Sequence, residues 1–184
     1  MNGIPVEFPD FVTEAGTYLY TKVISSNCTS SGQLNITREA PDYTPRIRVI
    51  PGTISGPSDV DIIIDVIELE DKPSCEPIYV LVPTFGERYS FTYNSSLTTL
   101  GGGLFSVNNS HWQYLGNNGS FHIWQFIGSP TFPAGGFSRF GFSGVYNNQG
   151  TSGETRFSVS IIQGSGGEVN FINNVDGEVL FYRR

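Results

Sequence analysis

The amino-acid sequence predicts an all-β fold, a sandwich of two antiparallel sheets with extra strands at the N-terminus. Apolar and polar residues alternate in short runs, as they do in strands that bury one face. Glycine and proline punctuate these runs, and the 184-residue chain contains 22 Gly and 11 Pro, which suit turns. No stretch shows the apolar periodicity of a helix, so we expect neighbouring runs to pair as hairpins.

The N-terminal part of the chain predicts a pair of strands of its own. The alternation indicates strands at residues 18–24 and 33–37. Residues 25–32 between them are mostly polar and predict a loop.

Two prolines mark the end of this N-terminal part. Pro41 and Pro45 lie four residues apart with no apolar alternation between them, which disfavours both a helix and a central strand. We therefore expect a linker here and place a domain boundary near Ala40, which separates residues 1–40 from a domain of residues 41–184.

The longest apolar run, residues 59–69, predicts a strand with acids on one face. The alternation puts four aliphatic residues on one side (Val60, Ile62, Ile64 and Val66) and three aspartates on the other (Asp59, Asp61 and Asp65). Aspartates two positions apart lie about 6.5 Å from each other, near the carboxyl separation of an inverting glycosidase. An exposed row of carboxylates stays ionised and cannot act as the acid, so we interpret these charges as protection of a sheet edge. The alternation slips after Val66, which predicts a β-bulge.

Residues 112–127 predict an aromatic hairpin that turns around residues 116–119. A loop of two or four residues puts two pairs of apolar residues on one face: Trp112 and Tyr114, with Phe121 and Ile123. A three-residue loop reverses the second strand and brings Trp112 beside Trp124. We prefer the first pairing, because it gives one face the uniform apolar surface of a core.

The preferred pairing leaves a second aromatic face, formed by His122, Trp124 and Phe126. If this face is exposed, it offers a stacking platform for a sugar. Burial between the sheets is the alternative, and it is the more common fate of large aromatic side chains.

The C-terminal residues predict two more strands joined by a glycine-rich turn, with further breaks at Asn173-Asn174 and Asp176-Gly177. This span also contains candidate ligands for calcium, which takes oxygen from Asp and Asn side chains. The candidates are Asn170, Asn173, Asn174 and Asp176. The same residues are common turn formers and lack the spacing of an EF-hand, so we favour turns and keep calcium as an alternative.

The sequence lacks the groups that catalysis needs. The chain has two histidines, His111 and His122, and neither lies near a Gly-x-Ser-x-Gly elbow or in a zinc-ligand spacing. We therefore expect no enzyme activity. The net charge of −7 argues against nucleic acid as a partner, and no apolar run reaches the ~20 residues of a membrane span. Cys28 and Cys75 form a disulfide only if the protein is exported and the fold brings them together.

Several segments match the pattern of a known family. In the main domain these are residues 41–45, 107–112, 133–136, 140–142, 164–170, 173–174 and 178–180. With these segments, residues 41–184 resemble an Ig-like repeat domain of large surface proteins of Gram-negative gliding bacteria. Residues 16–21, 27–29 and 34–37 resemble the end of a different repeat from such proteins.

The resemblance implies an Ig-like sandwich that serves as a non-catalytic structural or adhesive module outside the cell. Its partners would be neighbouring repeats of the same protein or other copies of itself, and it supplies no catalytic residues. Two other functions stay open. One is a carbohydrate-binding domain, which needs an exposed Trp112 or Trp124. The other is a self-assembling subunit in which residues 1–40 donate strands to a neighbour.

Overall fold

The computed structural model describes residues 16–25, 28–36, 39–128 and 131–184. The chain forms two compact units, Met1–Glu39 and Ala40–Arg184. In the first unit, strands β1 (Gly16–Ser25) and β2 (Cys28–Ile36) pair as an antiparallel hairpin. The loop predicted over residues 25–32 is therefore wrong for most of its length. Thr29, Ser30 and Ser31 pair with β1, Ser31 opposite Thr21 for example, because polar side chains also fit a strand when a partner strand is present.

The described residues of the second unit form twelve strands. In chain order they are β3 (Tyr43–Ile50), β4 (Thr53–Ser55), β5 (Ser58–Glu68), β6 (Tyr79–Pro83), β7 (Tyr89–Thr92), β8 (Thr99–Leu100), β9 (Phe105–Ser106), β10 (Trp112–Asn117), β11 (Phe121–Phe126), β12 (Phe137–Tyr146), β13 (Gly153–Ile161) and β14 (Val175–Arg183). One sheet has the order β10-β11-β6-β13-β14-β4 and the other has the order β3-β5-β12-β7. Short 3-10 turns lie at Asn109–His111 and Ser165–Gly167.

These two sheets confirm the predicted all-β, Ig-like sandwich. Neighbouring strands run antiparallel, apart from the short parallel pair β14–β4. The described residues include no α-helix, and in that part of the chain no helix has the length and apolar character to cross a membrane.

The inner faces of the sheets bury one large core. Val60, Ile62, Ile64 and Val66 are fully buried on the inner side of β5, which confirms the predicted aliphatic face. Large aromatics meet them from the other strands: Trp112, Trp124, Phe140 and Phe142 are all at most 1% exposed. Burial of one such side chain contributes about 1.5–3 kcal/mol.

The outer face of the four-stranded sheet is also covered, and this corrects the interpretation of the aspartates. β5 lies between β3 and β12, so it is a central strand and needs no edge protection. The short hairpin β8–β9 packs on its outer face, where Ile63, Leu100 and Val107 form a second apolar cluster. Asp61 accepts the Gly101 N–H of this hairpin at 2.7 Å.

The bulge predicted after Val66 is absent from β5. Its register with β3 and with β12 continues without a shift through Ile67. Glu68 therefore keeps the inward direction of Val66 and is only 2% exposed. The alternation appears to slip because Glu68, a carboxylate, occupies an inward position that is usually apolar.

The preferred pairing of the β10–β11 hairpin is wrong. Trp112 lies opposite Phe126 and Tyr114 lies opposite Trp124, and the register then shifts by one residue between Tyr114 and Gly116. The inward face thus combines Trp112 with Trp124, as the alternative pairing required. The preferred pairing assumed a regular ladder, and one extra residue in a bulge exchanges the two faces of a strand.

Candidate functional site

The aromatic residues proposed to stack on a sugar are core residues. Trp124 is fully buried, His122 is 8% exposed, and Phe126 is half-buried against the same core. Trp124 stacks on Phe142 with ring centroids 5.2 Å apart and an interplanar angle of 7°. The proposed platform is therefore not a surface feature, since the register of the hairpin turns these rings towards the opposite sheet.

Asp65 is a buried carboxylate held by two arginines. Its Oδ2 accepts Arg48 Nη1 at 2.7 Å, and its Oδ1 accepts Arg139 Nε at 2.5 Å. Burial by itself raises the pKa of Asp65, but the hydrogen bonds and charges of Arg139 and Arg48 outweigh it and hold the pKa below its ordinary value. An acid that stays ionised in this way cannot donate a proton at neutral pH.

Glu68 binds backbone rather than a reactant. Its carboxylate accepts N–H groups from four residues of three neighbouring segments: Asp42, Glu70, Lys72 and Gly135. These hydrogen bonds hold the three segments together, because each satisfies a backbone N–H that has no partner in the sheets.

The free edge of β3 is closed by two further carboxylates. β3 is an edge strand of its sheet. Tyr43 donates its N–H to Glu168 Oε1 at 2.8 Å, and Ile47 donates its N–H to Asp176 Oδ2 at 2.8 Å. Pro45 lies between them and has no N–H. This arrangement leaves little for another strand to pair with, which is how natural sheets avoid aggregation.

Asp176 therefore has a different role from the one predicted. It lies inside β14, so the break predicted at Asp176-Gly177 is wrong. Gly177 is suited to a strand here because a Cβ on it would meet Arg156 Nε at 2.8 Å. The side chain of Asp176 accepts a hydrogen bond from the backbone of β3.

The three predicted asparagines do come together, on two acids that the sequence analysis did not single out. Asn170 and Asn173 donate their Nδ2 groups to Asp42, at 2.9 and 3.0 Å. Asn174 donates Nδ2 to Glu168 Oε2 at 2.6 Å. We call Asp42, Glu168, Asn173 and Asn174 the acid-amide cluster. Asp42 and Glu168 lie 126 positions apart in the chain, and only the fold brings them together.

The acid-amide cluster is shielded from solvent. Asp42 is 9% exposed, and Glu168 and Asn174 are each 3% exposed. Burial raises the pKa of Glu168, and the nearby Asp42 raises it further, against the lowering effect of the hydrogen bonds from Asn174 and Tyr43. Within the described residues no three His, Cys, Asp or Glu side chains converge as metal ligands, so a cation here would need the amide oxygens as well.

A pocket of about 280 Å³ opens elsewhere in the second unit, between the β6–β7 loop and β13. Its described lining includes the aromatic rings of Phe85, Tyr89 and Phe157. Arg88 borders it, and its Nη1 donates to Tyr182 Oη at 2.8 Å. This lining includes no histidine or cysteine, and its one acid, Glu87, is exposed, so the pocket is suited to a small apolar group.

The two histidines pack among aromatic rings. His122 Nδ1 shares a hydrogen bond of 2.7 Å with Tyr114 Oη, and burial lowers the pKa of His122. His111 is exposed and packs its ring edge-on against Phe126. His122 belongs to β11 and His111 ends the turn before β10, and each packs against aromatic rings.

The disulfide between Cys28 and Cys75 stays a prediction. Cys28 belongs to β2, but its side chain is outside what the structure describes. Cys75 lies between β5 and β6, with its thiol 3.6 Å from the Gly166 carbonyl oxygen.

No protein-family model matches the sequence, and no curated protein does. Among solved structures, the chain is similar to the CARDB domain of the PF1109 protein from Pyrococcus furiosus, determined in complex with di-metal ions. The identity is 14%, the TM-score is 0.49, and the match covers 80% of this chain and 98% of that one. It is also similar to AvmM, which catalyses macrocyclization in alchivemycin A biosynthesis, with 7% identity, a TM-score of 0.41 and coverage of 77% and 89%. Likenesses this distant assign no ligand or activity to the chain.

Proposed function

We propose that this chain is a non-catalytic module of a bacterial surface protein that acts outside the cell as a spacer or adhesive unit. The observation that carries the non-catalytic part of the proposal is the use of the buried carboxylates, and the surface location rests on the resemblance of the sequence. The four in the described residues, Asp42, Asp65, Glu68 and Glu168, bind backbone N–H groups, amides or arginines. They serve the fold, whereas a catalytic acid or base has to lie within hydrogen-bond reach of the substrate.

The proposed mechanism is mechanical. Two stacked sheets with a continuous core keep their shape under load, and the loops at their ends are free to contact other proteins. Several apolar side chains between the Ser165–Gly167 turn and the first residue of β14 are exposed, which suits such contacts: Val169 at 59%, Ile172 at 96% and Val175 at 69%. The proposed partners are neighbouring repeats of the same protein or other copies of this chain. We do not propose glycan binding through His122, Trp124 and Phe126, because these rings pack in or against the core.

The proposal is tested by small-angle scattering of a longer native fragment together with activity assays. We expect an elongated particle whose length grows with each added domain, and no turnover of polysaccharides. Hydrolysis of a polysaccharide that is lost in Asp65→Asn would overturn the non-catalytic part. A compact particle of constant length would overturn the spacer part.

A further inference from the structure

The pocket of the second unit lies where β6 and β13 diverge. These two strands pair at only two positions, Leu81 with Ser160 and Val80 with Ile161. The residues of β13 before Ser160 pair with β14 on one side and with no described strand on the other. Residues 84–88 of the β6–β7 loop border this gap, and the cavity of about 280 Å³ remains between them and β13. The break in the ladder therefore gives the domain an opening towards its aromatic core.

Three aromatic rings form the apolar part of the pocket lining. Phe85 is half-buried, and its ring contacts those of Tyr89 and Phe157, with centroids 5.0 and 5.2 Å away. The Tyr89 hydroxyl donates to the Val60 carbonyl oxygen at 2.9 Å, so its polar end is already used within the core. An apolar cavity of about 150 Å³ accepts benzene. The pocket is larger than that and has room for one aromatic ring with a short substituent.

The lining of the pocket also includes an arginine with no acidic partner. Arg88 is half-buried, and its Nη1 donates to the Tyr182 hydroxyl at 2.8 Å. A hydrogen bond with the Tyr146 hydroxyl raises the pKa of Arg88. Both partners are neutral, and within the described part of the chain no carboxylate forms an ion pair with Arg88. A guanidinium has five N–H donors, so Arg88 is held in place and keeps donors for a ligand.

The missing counter-charge indicates the chemistry of the ligand. The other half-buried arginines of the described residues, Arg48 and Arg139, both bind Asp65. Arg88 offers a single positive charge on a planar fork, which matches a carboxylate. Glu87 is exposed at the same pocket and would repel a group with more negative charge, such as a phosphate.

We propose that this pocket binds a small aromatic carboxylate, with its ring against Phe85 and Phe157 and its carboxylate on Arg88. Apolar walls with a few placed polar groups are the usual composition of a small-molecule site. The ring would be removed from water, and the carboxylate would neutralise the arginine. This inference does not depend on the proposed function, since it concerns one pocket within the second unit.

The test is an NMR titration of the full-length chain with phenylacetate, followed through the backbone amide signals. We expect the chemical-shift changes to concentrate at residues 84–89 and 155–158, with a dissociation constant on the order of 1 mM for a ligand of this size. The neutral phenylacetamide should bind at least roughly tenfold more weakly, because it cannot form charge-assisted hydrogen bonds with Arg88. Absence of shift changes at the pocket, or equal binding of the acid and the amide, would overturn the proposal.

Two variants change the charge of the pocket in opposite directions. Arg88→Met should weaken phenylacetate binding at least roughly tenfold, whereas the control Arg46→Met should bind as the wild type does, because Arg46 is exposed and outside the pocket lining. Glu87→Gln guards against misfolding of Arg88→Met, since Glu87 is exposed. Loss of its negative charge should tighten binding about two- to threefold at low ionic strength. Unchanged or weaker binding by Glu87→Gln, or full binding by Arg88→Met, would contradict the proposal.

Discussion

The side chain of Asn109 pairs with the peptide of Gly141 as a neighbouring strand would. Its Nδ2 donates to the Gly141 carbonyl oxygen at 2.8 Å, and its Oδ1 accepts the Gly141 N–H at 2.9 Å. The pairing of β12 with β7 covers only the residues from Ser143 onwards. Asn109 thus continues the ladder at the point where β7 has ended, and it is fully buried there.

We expect Asn109→Ala to destabilise the protein strongly. The substitution leaves the N–H and C=O of Gly141 without partners, at a cost of about 1–3 kcal/mol for each buried group. Chemical denaturation gives the free energy of unfolding. Asn108→Ala is the matched control, because Asn108 is the same residue type at an exposed neighbouring position and should change stability by less than about 0.5 kcal/mol. Equal stabilities of the two variants would show that the amide pair contributes nothing.

Asp65 should stabilise the fold only while it is ionised. Its pKa in the folded state is lowered from the ordinary value of 3.8, so the stabilisation is complete above that pH and is lost as the pH falls through the lower folded value. Above pH 5 we expect Asp65→Asn to lose about 1.5–3 kcal/mol, the contribution of a charge-assisted hydrogen bond. Denaturation curves of both proteins should converge as the pH is lowered below about 3.8. A difference between them that is independent of pH would exclude the charge as the cause.

The burial of both tryptophans has a direct spectroscopic consequence. The chain has only Trp112 and Trp124, which are 1% and 0% exposed. We expect blue-shifted fluorescence with weak quenching by acrylamide, and strong quenching after denaturation. Trp124→Ala should cost about 3–5 kcal/mol of stability. Red-shifted, easily quenched emission from the native protein would show instead that a tryptophan is at the surface, and it would reopen the sugar-binding interpretation.

Gly116 should be necessary for the register of the β10–β11 hairpin. Its φ of 110° is unfavourable for any residue with a side chain, and particularly for a β-branched one. Gly116→Val should therefore cost about 1–3 kcal/mol. The neighbouring Leu115 is 46% exposed, so Leu115→Ala serves as the control and should change stability by less than about 0.5 kcal/mol. If Gly116→Val is as stable as this control, the bulge does not depend on the glycine.

The sequence by itself determined the features that depend on local alternation. The inner face of β5, from Val60 to Val66, follows from the two-residue period of a strand, and that period holds whichever strand lies next to it. The all-β class follows in the same way, from many short alternating runs between turn residues. The meeting of Asn170, Asn173 and Asn174 was also predictable in part, since these residues are close in the chain.

Only the tertiary structure decided which strands that are distant in the chain become neighbours, and the features that depend on those neighbours were beyond the sequence. The sequence predicted Asp65 as a surface charge, but the fold places Arg48 and Arg139 around it. The sequence did not single out Glu168, and the fold brings Asp42 beside it from the other end of the domain. The faces of the aromatic hairpin were reversed by one extra residue in a bulge. The physical reason is the same in each case: the pKa, the burial and the role of a side chain are set by contacts across strands, and local periodicity does not specify those contacts.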